Sequence, residues 1–301
     1  MRKLSGVITA MTTPFREDGS IDYGSLRDQV DFLIQAGVDC LYPAGTTGEM
    51  LLCSVEERKQ VAEAVIDQAD GRVPVYIHVG CQTPADTIAL AHHAVDAGAD
   101  GIGVVTPMYF SLTDRALISY YESVCREVPE DFPVYAYAIP QLAGNDLSVS
   151  VVREIRERCN NLVGIKYSYP NMTRIAEYLA IGDGFSVLPG ADHLFLPALA
   201  LGCDGVVSGC SGPQPEIFVA IKQLYDAGDL VRARQAQLNA NRLITIMRAG
   251  ADISIFKYLL TRRGIAGGVV RPPLVQLPRE EYEHIYAQIE QAIQSFSDES
   301  K

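Results

Sequence analysis

Lys166 closes the apolar run Leu162-Val-Gly-Ile-Lys. A lysine at the inner end of a buried strand must be desolvated, which lowers its pKa and exposes a nucleophilic amine. Such an amine condenses with a ketone to give a Schiff base. A lysine that ion-pairs or reaches solvent at a strand end fits the same pattern, and position alone does not separate the two. One strand earlier, Tyr137 ends the run Val134-Tyr-Ala-Tyr. A phenol there could shuttle the protons of imine formation and carbon–carbon cleavage, or simply be a packed aromatic. Gly45-Thr46-Thr47-Gly48 gathers two hydroxyls and several backbone N–H groups in one turn. That suits a small carboxylate, though an ordinary loop could read the same way.

Metal chemistry finds less support. His92 and His93 are adjacent in a predicted helix and face different ways. His78 and His193 are isolated, and no His-x-His or Glu-x-x-His spacing occurs. A metal-dependent aldolase is disfavoured, unless ligands from separate strands converge. The seven cysteines are odd in number and include no Cys-x-x-Cys pair. Scattered reduced thiols of a cytoplasmic protein fit better than a disulfide framework or a thiolate zinc site.

Those residues need elements to position them. Short apolar runs alternate with longer amphipathic ones. Strands are predicted at 7–12, 40–42, 73–79, 101–105, 133–139, 162–166, 185–188 and 205–207. Helices between them carry start signals: the capping box Ser54-Val-Glu-Glu and the pair Thr83-Pro84. Gly37-Val-Asp, Gly98-Ala-Asp-Gly and Gly202-Cys-Asp-Gly each end a helix and open a strand. Eight such units imply a closed (β/α)8 TIM barrel over residues 1–212. The rival, a doubly wound open sheet, would want Gly-x-Gly-x-x-Gly after the first strand, and none is present. Residues 213–301 read as an all-helical C-terminal extension beside the barrel. In a barrel the chemistry sits at the C-terminal strand ends. Here these are Thr12-Thr13-Pro14, Gly45–Glu49, His78, Thr106–Tyr109, Tyr137, Lys166, Gly190–His193 and Ser208.

Composition bounds the partners. Of 301 residues, 48% are hydrophobic and 21% charged, enough to bury a full core. The net charge of −12 argues against nucleic acid. The longest apolar run, Leu194–Leu201, falls short of the roughly 18 residues a membrane helix requires. Met1–Met11 lacks the features of a signal peptide, so a cytoplasmic location is expected.

The ordered set Gly45-Thr-Thr-Gly-Glu49, Val105-Thr-Pro-x-Tyr109, Tyr137-x-x-Pro140 with Gly144, Gly164-Ile-Lys166 and Gly202-x-Asp-Gly205 resembles the dihydrodipicolinate synthase/N-acetylneuraminate lyase superfamily. The resemblance covers nearly the whole chain. It implies a pyruvate- or 2-oxo-acid-dependent class I lyase without metal or cofactor, the intermediate being a covalent imine on Lys166. It also implies that Tyr137 is the acid/base, and that Thr46 and Thr47 supply carboxylate-binding and relay hydroxyls. Tyr109 would be the tyrosine that enters a neighbouring subunit's site, within a homotetramer.

Departures point to the branch. The resemblance places an arginine of true dihydrodipicolinate synthases at position 142, where this chain has leucine. A buried or half-buried leucine cannot replace a bidentate guanidinium. Met108 stands before Tyr109 in place of a second tyrosine. Leu142 and Ser168 look more like the sialic-acid lyases, in which Gly-x-Asp-Glu binds the sugar. Gly190 and Asp192 match that motif, but His193 replaces the glutamate and Gly209 a usual serine. Ser208 joins the expected substrate contacts. The reading is therefore a lyase or aldolase for a smaller sugar acid or another 2-oxo acid. The alternatives are 4-hydroxy-tetrahydrodipicolinate synthase and a regulatory barrel that binds 2-oxo acids without turning them over.

Overall fold

The eight apolar runs become eight parallel strands, buried on both faces as parallel strands are. They are β1 (Gly6–Ala10), β2 (Cys40–Tyr42), β3 (Tyr76–His78), β4 (Gly101–Val105), β5 (Val134–Ala138), β6 (Leu162–Tyr167), β7 (Ser186–Pro189) and β8 (Gly205–Ser208). The computed structural model describes residues 3–299. Met1 and Arg2, where the leader reading begins, and Ser300 and Lys301 at the end of the extension lie outside the described residues.

One ladder runs β2-β1-β8 and another β3-β4-β5-β6-β7. Two seams join them. Leu41 bridges Val75 in parallel, and Asp204 N donates to Val187 O at 3.3 Å. The result is the (β/α)8 barrel. The third strand is shorter than predicted because it opens after Pro74, which has no N–H to give a ladder.

The barrel helices are α1 (Tyr23–Gln35), α2 (Val55–Ala69), α3 (Pro84–Asp96), α4 (Asp114–Arg126), α5 (Pro140–Ala143), α6 (Val149–Arg158), α7 (Met172–Leu179) and α8 (Phe195–Leu201). Ser54 and Glu57 form the capping box, and Thr83 accepts from Asp86 N ahead of Pro84. The single turn α5 was not foreseen. Proline starts it and Gly144, at φ 77°, ends it.

The interior is filled by Tyr42, Tyr76 and Tyr135 with Ile8, Leu188 and Val207. These large rings need glycine opposite them. A Cβ on Gly103 would stand 1.8 Å from Tyr42 Oη, and one on Gly164 would stand 2.5 Å from Tyr135 Cε1.

The extension comprises α9 (Pro215–Asp226), α10 (Leu230–Ile246), α11 (Ile253–Arg262) and α12 (Arg279–Glu299). Between α10 and α11 the chain turns through Arg248, Ala249 and Gly250 at φ 55°, 51° and 76°. Left-handed backbone costs a non-glycine residue about 1–2 kcal/mol. This costly turn lies over the mouth of the barrel. Among the described residues no helix is long and apolar enough to cross a membrane.

Candidate active site

The ladder sets the first contact of the site. Tyr137 and Lys166 are register partners in β5 and β6, so both side chains rise on the same side at the same height. The Lys166 ammonium lies 4.0 Å from the centroid of the Tyr137 ring and 5.1 Å from that of Tyr42. Lys166 is only 6% exposed. Among the described residues no carboxylate comes within ion-pair distance of it. The faces of the two rings take that place.

The Tyr137 hydroxyl lies 3.2 Å from Thr46 Oγ1, close enough to hand a proton either way. The threonine turn is bracketed by Ala44 and Glu49, at φ 57° and 58°. Gly48 closes the turn from behind. Its carbonyl accepts from the Thr13 hydroxyl at 2.8 Å, and a Cβ there would meet Ala44 N and Met11 O at 3.2 Å.

These groups open into a cavity of about 290 Å³. Thr46, Thr47, Tyr137 and Lys166 line one side, and Ser168, Gly190 and Asp192 another. Gly190 is there for space, since a Cβ would fall 1.8 Å from Ser168 Oγ. Asp192 is buried, and desolvation pushes its carboxyl up, opposed by hydrogen bonds from Ser208 and Cys210. Ser208 thus acts behind the wall, on Asp192. Its Oγ also accepts from Ser211 N at 2.8 Å.

Four expected residues do not line this cavity: Gly48 and Ser208 stand behind it, and His193 and Tyr109 lie elsewhere. His193 lines a separate hollow of about 490 Å³ with Leu196 and Gln237. It shares one tight helical turn with Asp192, and neighbours in such a turn point in different directions. Tyr109 is 90% exposed, edge-on to Phe110, on backbone at φ 74°. Gln82 holds that loop by exchanging hydrogen bonds with the Met108 backbone, at 3.0 and 2.7 Å. Leu142 also departs from expectation, being 64% exposed rather than buried or half-buried. It rides on α5 at the rim and still offers no charge to an anion.

Tyr42 and Arg58 were missed, and His78, read as a strand end, was given no role. Tyr42 lies under the lysine. His78, fully buried, meets Tyr137 edge to face at 5.9 Å. Burial drives its imidazole well below the usual range, helped by the cations of Arg58 and Lys166. Arg58 of α2 reaches in to donate to His78 O at 2.7 Å and Gly80 O at 3.1 Å. The extension also contributes: Ala249, Gly250 and Phe256 form the wall facing the strand ends. Gly250 was the one sequence signal for that turn. A larger hollow of about 920 Å³ lies among α9, α10 and α12, but among the described residues no lysine, cysteine, serine or histidine lines it.

The model of the dihydrodipicolinate synthetase family matches residues 3–292. The chain belongs to this family. It is 34% identical to a 4-hydroxy-tetrahydrodipicolinate synthase of Methanothrix thermoacetophila over 91% of this chain and 92% of that one. It is 32% identical to a probable 2-dehydro-3-deoxy-D-pentonate aldolase of Escherichia coli, over 95% and 96%. Among solved structures it superposes on a prophage protein of the same family from Escherichia coli K12, in complex with pyruvate. The TM-score is 0.90 at 30% identity, covering 96% of this chain and 98% of that one. The protein is thus a class I lyase or aldolase by family, with relatives that differ in substrate.

Proposed function

We propose that the protein makes or breaks a carbon–carbon bond of a 2-oxo acid through an imine on Lys166. The observation that carries this reading is a buried amine, with no carboxylate at ion-pair distance among the described residues, beside the Tyr137–Thr46 hydroxyl pair in one cavity. The Lys166 nitrogen attacks the ketone carbon, and the carbinolamine loses water with a proton delivered from Tyr137. Tyr137, now deprotonated, takes the proton of the C4 hydroxyl as the electron pair of the breaking C3–C4 bond moves to the protonated imine. An aldehyde leaves and an enamine remains, which takes a proton at C3. Hydrolysis releases pyruvate and the free amine. The N–H groups of the threonine turn hold the substrate carboxylate meanwhile. No cofactor enters these steps.

For the second substrate we infer a small sugar acid or a related 2-oxo acid. Ser168 and buried Asp192 offer hydroxyl-binding groups, Leu142 stands at the rim where the resemblance puts an arginine, and the guanidinium that does line the cavity, Arg248, is already paired with Asp252 and Glu281. The synthase reading is favoured by the Methanothrix relative. A panel of sugar acids, run beside aspartate semialdehyde with pyruvate, separates the two. Condensation of that last pair at a normal rate would refute the use made of Leu142. The exposed Tyr109–Phe110 pair supports a subunit contact, and we place the chain in a cytoplasmic homotetramer, which mass measurement in solution tests.

The imine itself is tested by borohydride with pyruvate and intact mass. The wild type should gain one reduced adduct and Lys166→Ala none. An unmodified wild type would overturn the mechanism. A melting shift with pyruvate but no adduct would favour a binding protein.

A further inference from the structure

Glu49 ends the threonine turn, and the cation that meets its carboxylate comes from the far end of the chain. Lys257 of α11 lies 2.5 Å from Glu49 Oε1, with side-chain exposures of 0% and 1%. This is an ion pair rather than an aligned hydrogen bond. The ammonium donates instead to Val269 O at 2.5 Å and sits 4.4 Å from the centre of the Phe15 ring. The other carboxylate oxygen accepts from Arg271 N at 2.9 Å. The Arg271 side chain then donates to Leu52 O at 2.7 Å and Gly19 O at 2.9 Å. The extension therefore holds the C-terminal end of the turn that carries Thr46 and Thr47.

The grip has something to hold. Within the turn Glu49 N donates to Thr46 O at 3.1 Å and Met50 N to Gly45 O at 3.2 Å. Glu49 itself is in the left-handed region, which a non-glycine residue keeps only where its surroundings fix it. A buried charge pair is a weak source of stability once desolvation is counted. It does fix position, because each charge has one place where it is compensated.

We propose that Glu49 is a positioning residue, whose ion pair with Lys257 makes the C-terminal extension set the Thr46–Thr47 turn against Tyr137. The proposal rests on the imine reading of Lys166. Its test uses the full chain with pyruvate alone, so the unknown aldehyde does not enter. Pyruvate methyl hydrogen–deuterium exchange, followed by NMR, reports the enamine. Borohydride adduct on Lys166 counts competent sites. The variant is Glu49→Gln/Lys257→Met, which removes both charges and leaves no lone buried ion. Exchange per trapped site should fall about ten- to hundredfold, as a misplacement near one ångström can cause, and half-saturating pyruvate should rise. The melting temperature should stay near wild type. A purely structural pair would lower melting and leave both kinetic values unchanged, which would overturn the proposal. Should the double variant not fold, Glu49→Gln/Lys257→Gln carries the same test, since it too leaves no buried charge and the side chain at 49 can still accept from Arg271 N. A wild type that does not trap would sink the imine reading. A wild type that traps beside an unaltered variant would sink this proposal alone.

Discussion

The cavity has two kinds of wall. On one side stand the strand ends, where the Tyr137–Lys166 register fixes side chains by a backbone ladder. On the other stands the extension, which presents Arg248, Ala249 and Gly250 from a turn held in left-handed backbone and Phe256 from α11. A ladder gives little freedom to move a reacting group, whereas a turn can change its side chains without disturbing the barrel. The difference suggests a division of labour, with reactive groups on the strands and shape recognition on the extension.

That division can be broken by measurement. Tyr137→Phe keeps the ring over the lysine and removes the proton carrier. Turnover should fall by about 10²–10⁴-fold, the usual worth of a general acid–base, and steady-state rates check it. Phe256→Leu, on the other wall, should alter half-saturation for the longer 2-oxo acids by about tenfold and leave the pyruvate adduct intact. If Phe256→Leu abolished the adduct, the two walls would not differ in kind.

The strand side has its own response to pH. Burial holds the folded pKa of His78 well below 6.5. Below about pH 6.5 the unfolded chain takes up a proton that the folded barrel refuses. This contribution to stability is present above that pH and lost as pH falls, at up to about 1.4 kcal/mol per pH unit. Denaturant unfolding of His78→Asn should show a shallower acid loss than wild type. Smallest of all, His193→Ala should leave turnover within about twofold of wild type, as a change outside the site does. A large kinetic loss would return His193 to the cavity.

Much of the strand wall was legible in the sequence. The runs Cys40–Tyr42 and Gly101–Val105 are strands at their predicted bounds, and Lys166 stands at the mouth because an apolar run ends there. His193 was misplaced because a motif gives spacing along the chain and not direction around a turn. The extension wall was hidden for another reason. Arg248 and Ala249 adopt backbone that their side chains disfavour, so neither residue type announces it. Phe256 reads as core from its helix periodicity, and it is also core, 1% exposed. Arg58 and His78 became a pair only through the packing of α2 on the third strand.

The hydrogen bond from Arg271 to Glu49 spans 222 residues. A contact that distant closes late, after local helices and neighbouring strands have formed. During synthesis the lysine-bearing strand leaves the ribosome long before α11 exists. The nascent barrel would carry its amine without the clamp on its carboxylate turn. Exchange would then run about ten- to hundredfold slow until α11 and Arg271 have docked on the turn.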